Sequence, residues 1–212
     1  MKNLLLLLLM TVSTVALAQT PATLIEKLHV GLHGGWSGST MAFQKKPLVE
    51  GKAVAAGIEH GYFIGAFARQ PLNRVLAARA EAQYHVRGYR FLEARNRFSF
   101  LEFIPMLECR LTERLSAGVG GYWAICLEQK LRTGDGGSFA SVDPDIVELT
   151  DGQDFGAVLG LNFHWKRYTG ILRYQHGFNS AVDIEYSDIN GSLYVTRQYN
   201  RSIQVGIGYS LL

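Results

Sequence analysis

The chain lacks several features that would place it quickly. Only two cysteines and five prolines occur in 212 residues, and no cysteine sits just after residue 18 to take a lipid anchor. Charged residues make up 18% and the net charge is +3, or +2 once Lys2 is lost. The basic residues are scattered, so no electrostatic footprint for nucleic acid stands out. Beyond residue 18 no apolar run reaches the length a helix needs to span a bilayer, and no segment repeats a helical stripe. Any crossing of a membrane must therefore be made by strands.

What is present begins with an export signal. Residues 1–18 carry Lys2, an apolar run over residues 4–10, and Ala16-Leu17-Ala18 before Gln19, the pattern of a secretory signal peptide cleaved after Ala18. The run is too short for an anchor helix. Residues 19–212 remain, about 194 in number, enough for a single domain. The 23 glycines and 11% aromatics suit a β-rich protein.

The closing stretch, residues 199–212, alternates with a period of two. Tyr199, Ile203, Val205, Ile207, Tyr209 and Leu211 are apolar, Arg201 being the exception; Asn200, Ser202, Gln204, Gly206, Gly208 and Ser210 are small or polar. This is a strand with one face in an oily medium, and a terminal strand needs its edge covered, which a barrel does by pairing last strand with first. The same alternation predicts strands over residues 28–37, 54–69, 76–87, 98–111, 115–129, 154–165 and 168–179. The second is ambiguous, with Gly57, Glu59, Gly61, Gly65 and Arg69 assigned to the inner face. Pro105 predicts a bulge in the fourth. Tight turns are expected at residues 70–74, 112–114 and 166–167, and long loops at 38–52, 130–153 and 180–198. Eight strands result.

Alternation alone does not say which face is inside, and Gly34-x-Trp36 satisfies the loose pattern of lipocalins, which are apolar within. Three observations favour lipid outside. The glycines at 31, 35, 57, 61, 65, 118, 120, 156, 160, 206 and 208 fall on the polar face, as a narrow interior requires. Tight turns alternate with long loops, as in outer-membrane barrels. Trp36, Tyr62, Trp165, Tyr168, Tyr174, Tyr199 and Tyr209 lie near strand ends on the apolar face, where interfacial girdles belong. The expected fold is all-β: an eight-stranded antiparallel up-and-down transmembrane β-barrel with short periplasmic turns and long extracellular loops.

Val30-Gly31-Leu32-His33-Gly34-Gly35, the run Gly-Tyr-Phe-Ile-Gly-Ala-Phe-Ala at 61–68, Arg87-Gly88-Tyr89, Phe100-Leu101-Glu102-Phe103-Ile104-Pro105, Asp154-Phe155-Gly156 and Arg173-Tyr174 before Gly177 come in an order that resembles the PorT-like outer-membrane β-barrel domain family. The chain has one residue more than the family pattern between Glu102 and Pro105. The resemblance covers nearly all of residues 19–212 and implies an outer-membrane location. Because the eponymous member is tied to a secretion system, it also implies a secretion-system or other extracellular protein as a candidate partner. Gln204-x-Gly206-x-x-Tyr209-x-Leu211 is similar to the signal read by the barrel-assembly machinery, without a terminal aromatic. The other expected partner is the lipid bilayer, around a monomer that needs no cofactor.

Candidate functional residues fall into four groups. Arg79, Glu81, Gln83, His85, Arg87, Glu102, Glu108, Glu128 and Arg173 are assigned to the interior, as a proton or ion relay or as a salt-bridged plug. Enclosed charges must pair to offset desolvation, and Arg–Glu pairing achieves this without further function, so the plug is expected. His176, Ser180 and Glu185 suggest a membrane-embedded lipase, but four residues along a strand span about 13 Å, too far for a base to reach the hydroxyl. The loop from Thr133 to Ser138, with Asp143, Asp145, Glu148 and Asp151, has acids enough for Ca²⁺ yet lacks the EF-hand spacing. Cys109 should pair across a hairpin with Ala117, leaving Cys126 about 30 Å along and on the other face, so both thiols are expected free. The function expected is non-catalytic, structural or loop-mediated: adhesion, surface-partner binding, envelope integrity or secretion. A small-solute channel, a lipid-modifying enzyme and a secreted lipocalin-like barrel are the alternatives.

Overall fold

A computed structural model describes residues 28–43, 48–49, 52–53, 55–91, 94–133, 140–141, 152–187 and 193–211. Eight long strands carry the fold: β1 (His29–Phe43), β2 (Gly57–Pro71), β3 (Leu76–Phe91), β4 (Ala94–Arg110), β5 (Leu115–Thr133), β6 (Gln153–Trp165), β7 (Tyr168–Ser187) and β8 (Leu193–Ser210). Each pairs antiparallel with its neighbour in sequence, and β8 pairs with β1 from Gly31↔Ser210 to Phe43↔Gln198. The sheet is therefore closed, and the expected eight-stranded antiparallel barrel is the observed fold. Two short ladders flank it, Leu48–Val49 with Lys52–Ala53 and Ala140–Ser141 beside β5.

The period-two pattern sorts the faces. Leu32, Ile64, Leu101, Phe103, Leu107, Val119, Leu159, Leu161, Phe163, Leu172, Ile203, Val205 and Ile207 all point outward and are exposed, whereas Glu81, Glu102, Glu108, His85, Arg173 and Gln204 are buried within. This is the reverse of a water-soluble barrel, and it sets aside the lipocalin-like arrangement. In water such a belt would be far larger than the apolar patch a soluble monomer leaves uncovered. Aromatic pairs mark both ends of the belt. Trp165, Tyr168 and Tyr209 stack in series at the short-turn end (6.3 and 5.3 Å between centroids). Trp36–His60 and Tyr62–Tyr84 lie toward the other (5.6 and 6.1 Å).

The interior is narrow, and two glycines show why. A Cβ on Gly61 would lie 1.9 Å from the Val86 carbonyl oxygen and 3.0 Å from Ser37 Oγ. That bare backbone lets Ser37 of β1 reach over β2 and donate to Val86 O of β3 (3.1 Å). Gly206 is filled by a neighbour, its missing Cβ standing 2.6 Å from Cζ of Phe63.

Several local expectations are corrected. The ladder between β3 and β4 runs through Ala80↔Pro105 without a register shift, so the expected bulge at Pro105 is absent. With β5 the register is the same on either side of residues 104 and 105: proline's missing N–H removes a bond without displacing the chain. The shift falls instead between Ser99 and Phe100, opposite Cys126 and Glu128. Much of the stretch expected as a last long loop, residues 180–198, is ladder, from Val182↔Gln198 to Ser187↔Leu193. Likewise β1 runs on to Phe43, into the region expected as a loop at 38–52. At the other end the chain turns tightly at residues 72–75, 111–114 and 166–167, the last with Lys166 at φ 56°. Cys109 pairs with Ala117, and both thiols are free.

Candidate functional site

Alternate residues of every strand project inward, so a polar residue every second position puts its head group into one shared interior. Of the nine residues assigned to that interior from the sequence, Arg79, Glu81, Gln83, His85, Arg87, Glu102, Glu108 and Arg173 are buried there at 2% exposure or less. They form two clusters stacked along the barrel.

In the cluster nearer the short turns, Glu81 accepts from Nε of Arg79 and from both terminal nitrogens of Arg173, with His33 Nδ1 at 3.6 Å. Glu108 accepts from Arg69 Nε (2.7 Å) and Asn162 Nδ2 (2.8 Å), and Arg79 Nη1 lies 3.5 Å from it. The Arg79 guanidinium also lies over the Phe67 ring at 4.2 Å. Below them His164 bridges Ser116 (2.9 Å) and Thr169 (3.3 Å).

In the cluster above, Glu102 is held at one oxygen by His85 Nδ1 (3.0 Å) and Arg87 Nη2 (3.3 Å), and at the other by the amides of Gln83 (2.8 Å) and Gln175 (3.1 Å). His85 Nδ1 also lies 3.2 Å from the Gln204 side-chain amide. One Nδ1 proton serves both neighbours only when Gln204 presents its oxygen. Asp154 Oδ2 accepts from Arg87 Nη2, Tyr122 OH and Asn200 Nδ2, each at 2.9 Å. Arg87 is sandwiched as well, 4.1 Å from the Phe100 centroid and 5.3 Å from that of Tyr122. Across the clusters Arg69, Arg79, Arg87 and Arg173 face Glu81, Glu102, Glu108 and Asp154, a balanced set. Desolvating these charges is offset only because each carboxylate has several donors.

Much of the remaining interior is apolar. Met41, Tyr89, Phe98, Phe100, Ile104, Met106, Tyr122, Ala124 and Val158 pack as one cluster, mostly on the β4, β5 and β6 wall. The arrangement binds charge to charge and fills much of what is left with hydrocarbon.

Glu128 needs correction. Its side chain is 41% exposed and pairs with Lys130 at 2.9 Å, on the outer wall level with Tyr84 and Ser99, which hydrogen-bond each other at 2.8 Å. The cause is the register shift opposite Ser99 and Phe100, which inserts one residue and reverses the facing of β5 beyond it. Conversely, Asp154, Arg69, Asn162, Gln175, Asn200 and Gln204 belong to the clusters and went unassigned as site residues. The signal for them was there, since all six stand on inner positions of their strands. Nearer the long-connection end, Glu59 accepts from Arg97 Nε (3.1 Å) and Nη2 (2.9 Å).

The other candidates fall largely outside the described residues. His176 is half-buried on the outer wall, 3.4 Å from Tyr174 OH and edge-on to Phe178. The side chains of Ser180 and Glu185 lie outside the described residues, and the register shifts between residues 176 and 180. Residues 134–139 and 142–151, which include Asp135, Asp143, Asp145, Glu148 and Asp151, also lie outside them.

No protein-family model and no curated protein matches the chain. Among solved structures it is similar to Ail, the attachment invasion locus protein of Yersinia pestis, crystallised with the heparin analogue sucrose octasulfate; identity is 13% over 87% of this chain and 99% of that one, with a TM-score of 0.48. Similarity to Neisserial surface protein A is 9% identity over 87% and 97%, TM-score 0.49. For the translocator domain of the autotransporter NalP from Neisseria meningitidis the values are 11%, 92% and 91%, TM-score 0.41. At these identities nothing about ligand, partner or activity carries over.

Proposed function

We propose that the chain is a small integral outer-membrane β-barrel that neither catalyses nor conducts, exported by the signal in residues 1–18 and acting structurally or through the connections at its long-strand end. The observation that carries this reading is the interior: a balanced set of buried ion pairs beside a packed apolar cluster, enclosed by a wall whose outer face is hydrocarbon. Eight strands leave room for side chains and no aqueous path, and paired charges of this kind are stable without turnover. The belt of outward Leu, Ile, Val and Phe with aromatics at its ends supports a bilayer as the surrounding medium. Strands of 13 to 20 residues exceed the about 9–11 a bilayer requires. The surplus is large in β7 and β8, which stay paired as far as Ser187↔Leu193, and it supports a projecting extracellular hairpin as the surface offered to a partner in adhesion, envelope integrity or secretion. In the same reading the short turns face the periplasm, the barrel-assembly machinery inserts the chain, and the affiliation is PorT-like, supported by the residue order alone.

The test is electrical. Residues 19–212, refolded and inserted in a planar bilayer, should give no steps above the bare-membrane level. Persistent openings of about tens of picosiemens would replace this reading with a small-solute channel.

A further inference from the structure

The cluster around Glu81 and Glu108 is not closed upon itself. Three guanidinium groups, those of Arg69, Arg79 and Arg173, meet two carboxylates there. Arg79 is 2% exposed, yet its Nη1 and Nη2 make no hydrogen bond. Nη1 has only the 3.5 Å ion pair to Glu108. Leaving two charged donors buried and unfilled is costly. Beside this cluster lies a cavity of about 180 Å³ that opens at the short-turn mouth and is lined in part by Arg69 and Arg79, the Arg79 side chain itself being fully buried behind it.

Its lining is rich in basic side chains. Arg69 comes from β2, Arg79 from β3, Arg110 from the end of β4, His164 from β6 and Lys166 from the turn before β7, with Glu113 the one carboxylate. The hydroxyl groups of Thr112, Ser116, Thr169 and Ser210, with His29 and Phe67, complete it. Walls of low dielectric focus the field of such a set into the space between.

We infer that this mouth is a binding site for a phosphate-type oxyanion. A guanidinium presents its N–H groups as a fork matched to two oxygens of one phosphate. Arg69, Arg110 and Lys166 converge from three elements and, with the hydroxyls between them, suit a tetrahedral anion that can accept in several directions, more than a planar carboxylate or a single halide. The anion supplies the negative charge that the lower cluster lacks. Which compartment delivers it depends on the orientation proposed above; binding itself does not, and neither does it depend on whether the barrel conducts.

The site is tested on the full barrel, residues 19–212, folded in a non-ionic, phosphate-free detergent and titrated with inorganic phosphate by calorimetry. Saturable binding at one site, weakened by added salt, is expected. Arg79→Gln should weaken it by removing a nearby positive charge, but that change sits in the buried network, so the deciding variants are on the exposed rim. Arg110→Gln and Lys166→Gln should each weaken binding by about threefold or more, and Glu113→Gln should tighten it by a similar factor. Opposite signs for neighbouring exposed residues are something a purely structural role does not produce. No saturable uptake, or uptake indifferent to all three rim variants, overturns the site. The source of the anion is read in nanodiscs. Phosphate binding suppressed by phosphatidylglycerol but kept in phosphatidylcholine identifies a lipid headgroup as occupant, and equal binding in both identifies the free ion.

Discussion

At the short-turn end of the barrel, Glu81 and Glu108 are served by Arg69, Arg79 and Arg173; one storey higher, Glu102 and Asp154 share the single guanidinium of Arg87. Each storey has two acids. The upper one makes up for its missing cations with neutral donors, the amides of Gln83, Gln175 and Asn200 and the hydroxyl of Tyr122, together with His85. It also presses Arg87 between two aromatic faces. The lower storey has cations to spare and lies beside the open short-turn mouth. Enclosure decides the difference: where the interior is sealed every acceptor must be met from within, and toward the open mouth surplus positive charge can be offset from outside.

The comparison can be broken by substitution. Glu102→Ala removes the acceptor of four side chains at once and should cost about 3–5 kcal/mol, the penalty of stranding a buried charge, read from urea unfolding of the refolded barrel. A cost under about 1 kcal/mol would mean that water reaches the upper storey. Next, Arg87→Met should destabilise more than Arg79→Met although both arginines are equally buried. The first leaves two acids without their only guanidinium, and the second leaves one guanidinium for each acid. Equal losses would erase the distinction between storeys. Gly61→Ala should cost about 1–3 kcal/mol by forcing β1 and β3 apart, whereas Gly170→Ala, whose added carbon meets nothing closer than 3.8 Å, should leave the unfolding midpoint in place. The smallest effect belongs to Glu128→Gln, since a pair on the outer wall contributes little; a shift comparable to that of Glu102→Ala would put Glu128 back inside.

Strand number, facing and closure were legible from the alternation of apolar and polar residues, even for β2, where Phe63 and Phe67 occupy inner positions beside Glu59 and Arg69. Facing failed only beyond the register shift near residue 127, because a single inserted residue changes the parity of everything after it, and nothing in Cys126-Leu127-Glu128 announces it. Strand ends were misjudged where pairing outlasts the bilayer. Val182, Ile184 and Tyr186 do alternate, but without the oily run that marks β8. The network was legible as a list of charged inner residues and illegible as a set of partners. Arg87 and Asp154 stand 67 positions apart, and only the closed sheet brings them together. The inward Ile104, Met106, Val158 and Ile171 look in the sequence like breaks in a polar face, and in the fold they are its filling.

The central claim is that hydrocarbon surrounds this barrel and charge lies within it. All three tryptophans, Trp36, Trp123 and Trp165, stand on the outer wall with 45–54% of their surface exposed. The most direct measurement is quenching of their fluorescence in vesicles of lipids brominated along the acyl chain, set against iodide in the surrounding water. The account predicts strong quenching by the brominated chains and little by iodide. Strong quenching by iodide, with none from the lipid, would contradict it.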